Sequence, residues 1–415
     1  MKKQSDISKA KTLKNATKLV EAGRKPEWTG TKDSAAIVNP PVWRASTHLY
    51  SSEAERKAAL KTNSDGVFYY GRRGAPTQWA LADALTELEP GAHGTVLYPS
   101  GAAAITASLM SVLRPGDSLL ICDNAYEPTR NTAFGILKRW GIETRAFDPL
   151  DTDGFEAAFC EKTKAVWFES PGSLTMEVCD VPAMAKIARQ RGAVSFIDNT
   201  WATPLGFAAL THGCDVAVMS LTKHVGGHSD LMMGSASAGE RFYKRLRQTS
   251  QQLGQVVSPD DAALALRGLR TMGVRLNQST QSAVEIARWL KQREEIAHVM
   301  CPMLEDDAGH KLWSRDFAGG CGLFSFTLKN GSVEGRAALV DALELFGIGY
   351  SWGGFESLAL PFDAETTRSA TPWPPAYLDA GDGLGIRLSI GLEEAADLID
   401  DLEQALETMN GTAAR

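Results

Sequence analysis

Between about residues 71 and 238, short apolar and β-branched runs alternate with segments of helical length, and this alternation restricts the possible folds more than any other feature of the chain. The runs predict strands at Thr95–Tyr98, Ser118–Cys122, Glu143–Phe147, Ala165–Phe168, Val194–Ile197, Val216–Met219 and Met233–Ala238. The intervening helical spacing predicts helices at Thr77–Leu88, Ala102–Leu113, Pro128–Trp140, Val181–Arg191 and Thr203–His212. Because such alternation is typical of a parallel sheet covered by helices, we predict an α/β fold with a large, mostly parallel sheet.

A different pattern begins after Gly239. Long helices are predicted first, at Glu240–Leu253, Pro259–Met272 and Leu276–Glu294. A mixed segment follows, with strands or strand-like turns at Gly322–Leu328, Gly349–Trp352 and Gly385–Ile390 and helices at Val333–Leu345 and Glu393–Met409. The proline-rich segment from Pro361 to Pro375 is predicted to be a surface loop. We therefore predict an N-terminal arm over residues 1–70, an α/β domain over 71–270 and a smaller α+β domain over 271–415.

The composition limits the partners that this chain can have. A net charge of -7 argues against nucleic acid or an anionic membrane, because both require basic surfaces. The lysine-rich segment Met1–Arg24 lacks the apolar core of a signal peptide and is predicted to be a solvated helix or a docked arm, and no segment is apolar for long enough to span a bilayer. The six cysteines form no CxxC pair, which favours reduced thiols in the cytoplasm.

An acid and a lysine follow two neighbouring predicted strands. Asp198 comes directly after the run Ala193–Ile197, and Lys223 comes just after Val216–Met219, before a glycine-bearing loop. In a right-handed βαβ unit both residues emerge at the same carboxyl edge of the sheet. This pairing suggests a pyridoxal phosphate site, with the lysine bound to the cofactor and the carboxylate on its ring nitrogen. Taken alone, Asp198 could equally be a helix N-cap or a salt-bridge partner, and Lys223 a surface lysine, although an apolar strand beside the lysine disfavours full solvation.

Other predicted strand ends carry groups that suit the same ligand. Gly101 and Ala102 open a helix after Thr95–Tyr98, where free N–H groups attract phosphate, and the hydroxyls of Ser220 and Thr222 could bind the same group. The ring of Tyr126, after the next strand, could stack on a heteroaromatic ring, although a lone loop tyrosine is more often solvated. Another polar turn, Glu169–Ser173, follows Ala165–Phe168. The position of these groups at one edge of the sheet favours a cofactor site more than any single group does.

His224 and His228 have the spacing of a helical metal-binding pair. Gly226 and Gly227 stand between them, which makes a helix improbable, so we predict no metal site.

Several longer motifs resemble the pyridoxal-phosphate enzymes of cysteine and methionine metabolism, which have fold type I. They are Phe68–Gly74, Ser100–Ile105, Asn124–Pro128, Glu169–Glu177, Ile197–Trp201, Thr222–Lys223 with Gly227–Asp230, Tyr350–Gly354 and Ile386–Gly391. The resemblance extends over nearly the whole chain. It implies a pyridoxal 5′-phosphate cofactor and a fold like that of the fold type I transferases.

The resemblance also implies a role for individual residues. It implies three catalytic residues. Lys223 would bind the cofactor covalently, Asp198 would contact the pyridine nitrogen, and Tyr126 would stack on the ring. The phosphate would be bound by Gly101, Ala102, Ser220 and Thr222. Tyr70 and Arg72 would reach the phosphate of a neighbouring subunit, and Arg387, Ser351, Trp352, Tyr70 and Arg73 would contact the substrate. The arm would then contact a neighbouring subunit, and a homotetramer built as a dimer of dimers is expected.

Two motifs bear on the reaction within this family. Tyr70–Arg73 and Ser170–Ser173 differ from the Tyr-Ser-Arg and Ser-Pro-x-Asn-Pro patterns that are usual in γ-synthases and γ-lyases. The resemblance therefore implies a carbon–sulfur β-lyase that cleaves L-cystathionine by α,β-elimination to homocysteine, pyruvate and ammonia, with Lys223 transferring the protons. The alternatives are a broader cysteine or S-conjugate β-lyase, an enzyme of the γ-lyase type and, more remotely, a non-catalytic cofactor-binding regulator.

Overall fold

A computed structural model of the chain describes residues 13–30, 35–61, 66–373 and 383–413. Its larger sheet comprises the strands β1 (Gly94–Tyr98), β2 (Ser118–Cys122), β3 (Glu143–Phe147), β4 (Thr163–Glu169), β5 (Val194–Asp198), β6 (Val216–Ser220) and β7 (Gly234–Ala238). Their spatial order is β1-β7-β6-β5-β4-β2-β3. β7 runs antiparallel to both of its neighbours and the other pairs are parallel. The predicted large, mostly parallel sheet is confirmed.

A second, smaller sheet lies in the C-terminal part of the chain. Its strands are β8 (Ile296–Met300), β9 (Leu323–Leu328), β10 (Gly347–Ile348), β11 (Leu358–Asp363) and β12 (Leu384–Ser389). They are ordered β10-β11-β12-β9-β8, and only the short β10–β11 pair is parallel. This sheet matters for function because β12 carries Arg387.

Helices cover the sheets and connect their strands. Those before β6 are α1 (Asn15–Glu21), α2 (Pro26–Thr29), α3 (Glu53–Lys61), α4 (Pro76–Leu88), α5 (Gly101–Val112), α6 (Glu127–Asn131), α7 (Thr152–Ala157), α8 (Val181–Gln190) and α9 (Thr203–Gly206). Those after β7 are α10 (Glu240–Gln252), α11 (Pro259–Leu290), α12 (His310–Asp316), α13 (Val333–Ala342) and α14 (Ala395–Ala413). Short 3-10 turns form at Gly71–Arg73 and Ala364–Thr367, and a π-helical turn at Thr132–Leu137 extends α6. Within the described residues, no helix is both long and apolar enough to cross a membrane.

The core lies between the larger sheet and its helices. Trp167 on β4 and Phe196 on β5 are fully buried, and their rings stack at 6.2 Å. Ser100 caps α5 by accepting the N–H of Ala103 at 3.1 Å, and Asp180 caps α8 in the same way. Because the paired strands are mostly parallel and the helices that follow them begin with polar caps, the carboxyl ends of these strands lie together at one edge of the sheet.

The N-terminal arm docks where the structure describes it. Leu19 is buried, and Arg270 on α11 donates to the carbonyls of Leu19 and Ala22 at 2.6 and 2.8 Å. The docked alternative therefore holds for α1, while residues 1–12 of the predicted helix lie outside the described part of the chain.

Two helix predictions were wrong. The predicted helix over Thr203–His212 stops at Gly206, because the side-chain amide of Asn199 donates to the carbonyl of Phe207 at 2.8 Å and turns the chain away. The two helices predicted on either side of Gly273 form the single helix α11. A glycine inside a helix costs about 1 kcal/mol, which the burial of Met272 and Leu276 outweighs.

Two predictions in the C-terminal part also need correction. The strand-like turn at Gly349–Trp352 is irregular, and Ser351 there has a φ of 84°. The predicted loop begins too early, since Pro361 lies within β11. This is possible because β10 pairs only with Leu358 and Ala359, so the nitrogen of Pro361 faces no ladder partner on that side. Residues 374–382 of that predicted loop lie outside the described part of the chain.

Candidate active site

The carboxyl ends of β5 and β6 form the centre of the candidate site. Asp198 ends β5, Ser220 ends β6, and Lys223 follows in the next turn. β5 and β6 are paired in parallel, with Asp198 opposite Val218. The acid and the lysine therefore lie at the same edge of the sheet.

Thr200 links the acid to the predicted phosphate-binding residues. Its backbone N–H and hydroxyl donate to Asp198 Oδ1 at 3.0 and 2.5 Å, and its Oγ1 accepts the N–H of Ser220 at 2.9 Å. At Gly101, a Cβ would lie only 2.9 Å from Cβ of Ser220. The start of α5 therefore packs directly against the end of β6, and a side chain at Gly101 would fill the space between them. Thr222, in the following turn, exchanges hydrogen bonds with the backbone of Met233.

Lys223 is partly buried and contacts the loop between β10 and β11. Its Nζ donates to Ser351 Oγ at 2.6 Å and lies 5.5 Å from the ring centroid of Trp352. Burial and the positive charge of Arg387 lower the pKa of Lys223 to about 8, against the opposing effect of Asp198. The amine is therefore a usable base near neutral pH.

Arg387 is brought to the lysine by the smaller sheet. It lies on β12 between Ser325 on β9 and Leu360 on β11, is buried, and donates from Nη2 to the carbonyl of Ser351 at 3.2 Å. Burial lowers the pKa of its guanidinium to about 10, so the group stays charged at neutral pH. A buried, forked cation beside the lysine suits a substrate carboxylate.

Tyr126 follows β2 and is held by the neighbouring strand end. Its N–H donates to Glu169 Oε2 at 2.8 Å, while the side chain remains 41% exposed. The pKa of its phenol is raised by burial and by the neighbouring carboxyl groups of Glu169 and Asp198, and lowered by the positive charge of Arg387. The ring therefore lies within electrostatic reach of both the acid and the arginine of the site.

The loop after Lys223 is supported by α11. Arg275 donates to the carbonyls of His224 and Gly268 at 2.8 and 2.7 Å. A Cβ at Gly268 would lie 2.3 Å from the carbonyl oxygens of Val225 and Gly226, so the helix contacts the backbone of this loop directly. His224 is buried beside Trp352, and burial lowers its pKa to about 3.

A strap formed by Ser369–Thr371, between β11 and β12, docks on the loop that precedes Tyr126. The carboxylate of Asp123, which is fully buried, accepts hydrogen bonds from the backbone N–H groups of Ser369, Ala370 and Thr371 at 2.8 to 3.1 Å. It also accepts from Arg130 at 2.8 Å. These bonds hold the pKa of Asp123 well below its usual range, although burial opposes them.

Tyr70, Arg72 and Arg73 are not brought to Lys223 by the fold of a single subunit. Arg72 donates to the carbonyl of Gln251 at 2.7 Å, Arg73 lies over the ring of Tyr69, and Tyr70 is 46% exposed. Residues 71–73 line a cavity together with Gly94, the first residue of β1. The cavity continues along β1 as far as Leu97, and β1 is the edge strand of the larger sheet, separated from β6 by β7.

The residues at the carboxyl edge fit pyridoxal phosphate. The narrow space between Gly101 and Ser220 presents helix N–H groups and a hydroxyl suited to phosphate. Asp198 is held by Thr200 with its carboxylate at the strand end, and Lys223 has a lowered pKa. Fold and site together define a pyridoxal-phosphate-dependent enzyme of fold type I.

Comparison with known proteins identifies the family. The model of the Cys/Met metabolism PLP-dependent enzymes matches residues 16–407. Cystathionine beta-lyase MetC of Escherichia coli is 42% identical over 93% of this chain and 96% of its own length, and cystathionine beta-lyase of Salmonella typhimurium is 40% identical over 93% and 96%. The crystal structure of metB from Corynebacterium glutamicum matches with a TM-score of 0.84 and 28% identity, over 95% of this chain and 98% of that one. The chain belongs to the Cys/Met metabolism PLP-dependent enzyme family, and its cofactor is pyridoxal 5′-phosphate.

Three residues of the site were not predicted from the sequence as site residues. Thr200 follows Asp198 closely, and Glu169 stands in a polar turn at a strand end, so each carried a positional signal. Arg275 carried none, because only the packing of α11 brings it to the lysine loop.

Proposed function

We propose that the chain is a cystathionine β-lyase, which converts L-cystathionine and water to homocysteine, pyruvate and ammonia. The observation that carries this proposal is that Ser351 contacts both Lys223 and Arg387. Lys223 Nζ donates a hydrogen bond to Ser351 Oγ at 2.6 Å, and Arg387 donates one to the backbone carbonyl of Ser351. A carboxylate held by the arginine places the α-carbon of an amino acid near the lysine. Two relatives that bear this name are 42% and 40% identical to the chain.

Each residue of the site has a separate task in this reaction. Arg387 would bind the α-carboxylate, the ring of Tyr126 would stack on the cofactor, and Asp198 would keep a proton on the pyridine nitrogen. When bound, pyridoxal phosphate serves as an electron sink for the charge left on the α-carbon. Lys223 accepts the α-proton as a neutral amine and returns a proton to the departing sulfur. One amine serves as base and then as acid, which suits a group whose pKa is about 8.

Cleavage on the β side is favoured over the γ side by the sequence. Gly71 and the pair Arg72-Arg73, directly after the arm, and Gly172-Ser173 in the turn after β4, differ from the patterns usual in γ-lyases. A broader cysteine or S-conjugate β-lyase would share these motifs, so substrate preference separates it from the proposal.

A steady-state assay with purified protein and L-cystathionine tests the proposal, with both products identified by mass spectrometry. We expect pyruvate with homocysteine. Formation of 2-oxobutyrate with cysteine would instead establish a γ-lyase, and faster turnover of cystine or an S-conjugate would establish the broader β-lyase. The Lys223→Ala variant should lose turnover, and full activity in it would contradict the role of the lysine.

We also propose a homotetramer, a dimer of dimers, in which Tyr70 and Arg72 complete the active site of a neighbouring subunit. Three apolar side chains of the arm support this assembly, since Ile37, Val38 and Leu49 are 56%, 66% and 93% exposed in the single subunit. A cytoplasmic location is proposed as well, supported by six cysteines that are free thiols.

A further inference from the structure

Two carboxyl groups lie side by side at the cofactor edge of the larger sheet. Glu169 ends β4 and Asp198 ends β5, and the two residues are direct partners in the parallel ladder. Both are partly buried. Because adjacent like charges in a poorly solvated site strongly disfavour each other, the two carboxyls cannot easily be ionised together.

Glu169 also holds the backbone of the stacking residue. Its Oε2 accepts the N–H of Tyr126 at 2.8 Å. The carbonyl of Tyr126 in turn accepts the N–H groups of Thr129 and Arg130, at the start of α6. The carboxyl of Glu169 therefore fixes the point at which the chain turns from β2 into α6, and this turn carries the ring.

The groups around Glu169 favour its uncharged form. On β5 it faces Asp198, on β2 the thiol of Cys122, and beyond β4 the thiol of Cys179, which lies 3.7 Å from the backbone carbonyl of Glu169. Burial raises the pKa values of both thiols, so they are neutral. Burial and the charge of Asp198 raise the pKa of Glu169 well above its usual range, and the hydrogen bond from Tyr126 only partly opposes this.

We propose that Glu169 is a positioning residue whose uncharged carboxyl fixes the amide of Tyr126, and with it the ring over the cofactor, while leaving Asp198 as the negative charge at the pyridine nitrogen. The inference rests on the stacking role proposed for Tyr126. It does not depend on which sulfur amino acid is cleaved.

Three variants of the holoenzyme test this role against a control. Glu169→Gln keeps an acceptor oxygen and is neutral, Glu169→Asp is too short to reach the amide, and Glu169→Ala removes the acceptor. Glu161→Gln, on an exposed loop, serves as the control. The readouts are the dissociation constant of pyridoxal phosphate, the circular dichroism of its visible band, and kcat and KM.

We expect Glu169→Gln to retain the dichroism and to bind the cofactor within about threefold of the unmodified protein, because the hydrogen bond is preserved. Glu169→Ala and Glu169→Asp should bind it about tenfold more weakly, with altered dichroism and a lower kcat. The control should match the unmodified protein.

Two results would overturn the proposal. If Glu169→Gln loses as much cofactor affinity as Glu169→Ala, a negative charge is needed at this position. If Glu169→Ala keeps both the affinity and the dichroism, the carboxyl does not position the ring. Neither result depends on the products formed, so a failure here is distinguishable from a failure of the proposed reaction.

Discussion

Lys223 lies among groups that change its pKa in opposite directions. Burial and Arg387 lower the pKa to about 8, and Asp198 acts to raise it. The protonated amine is therefore the main form below about pH 8, and the neutral, nucleophilic amine the main form above it.

This balance predicts how the cofactor-free protein takes up pyridoxal phosphate. The rate of covalent uptake should fall about tenfold per pH unit below pH 8 and level off above it, since only the neutral amine forms the bond. Arg387→Gln removes one cause of the lowered pKa and should move the midpoint to higher pH. Stopped-flow absorbance between pH 6 and 10 measures both, with the exposed Arg288→Gln as a control. A midpoint that stays in place in Arg387→Gln would contradict the electrostatic explanation.

At the scale of elements, α11 determines where the lysine loop lies. Two glycines of this helix offer a matched pair, because they have similar helical propensity but different surroundings. At Gly268 a Cβ would meet two backbone carbonyl oxygens at 2.3 Å, whereas at Gly273 it would meet only the end of the Leu19 side chain at 3.1 Å.

Alanine at these two positions should therefore have opposite effects. Gly273→Ala should be neutral or stabilise the protein by up to about 1 kcal/mol. Gly268→Ala should destabilise it by about 2 kcal/mol or more, because the loop backbone cannot yield as a side chain can, and should weaken cofactor binding. Denaturant unfolding of the holoenzyme and cofactor titration measure the two effects. Equal behaviour of the variants would show that the contact with the loop is unimportant.

The strap (Ser369–Thr371) joins the segment between β11 and β12 to the loop that precedes Tyr126. Replacing Asp123 with Ala leaves several buried N–H groups and Arg130 without their acceptor, so we expect a loss of about 3 to 5 kcal/mol of stability near pH 7. Because the pKa of Asp123 is lowered in the folded state, its contribution is present above the unfolded pKa near 4 and is lost as the pH falls.

Denaturant unfolding at pH 7 and at about pH 3, which lies below the unfolded pKa, measures this loss. The difference between Asp123→Ala and the unmodified protein should shrink at the lower pH. Asp306→Ala is the control, because it breaks only an exposed pair with Lys291 and should cost less than about 1 kcal/mol. A difference that is independent of pH would assign the effect to packing instead.

At the scale of the whole molecule, the proposed assembly predicts complementation between inactive variants. In each shared site, Lys223 comes from one subunit and Arg72 from its neighbour, so Lys223→Ala and Arg72→Ala would remove residues that different subunits supply. Mixed dimers would then contain one intact site, and random exchange of subunits should restore about a quarter of the normal activity.

The control mixes Lys223→Ala with Asp198→Asn. Both residues belong to the same subunit's half of the site, so no mixed dimer has an intact site and no activity should return. Light scattering gives the mass of the assembly in the same samples. Recovery in neither mixture would contradict a shared active site.

Much of the fold was predictable because local patterns decide it. Most strands of the larger sheet are short apolar runs that pack between helices, so their composition marks them, whereas the edge strand β3 is largely polar and exposed. β8 and β11 were missed, since β8 is only half buried and β11 contains Pro361. β8 forms by pairing with β9, and β11 by pairing with β12. Such pairings cannot be read from the residues of one strand alone.

The sequence by itself determined the α/β class, the edge at which Asp198 and Lys223 meet, and the family, because contiguous runs of residues indicate each of them. Three contacts were decided only by the tertiary structure. They are the hydrogen bond from Lys223 to Ser351, the pairing of Glu169 with Asp198, and the support that Arg275 gives to the loop after Lys223. These contacts join residues far apart in the chain. The physical reason is that burial and neighbouring charge, which change the pKa values of the site, arise from packing and not from local sequence.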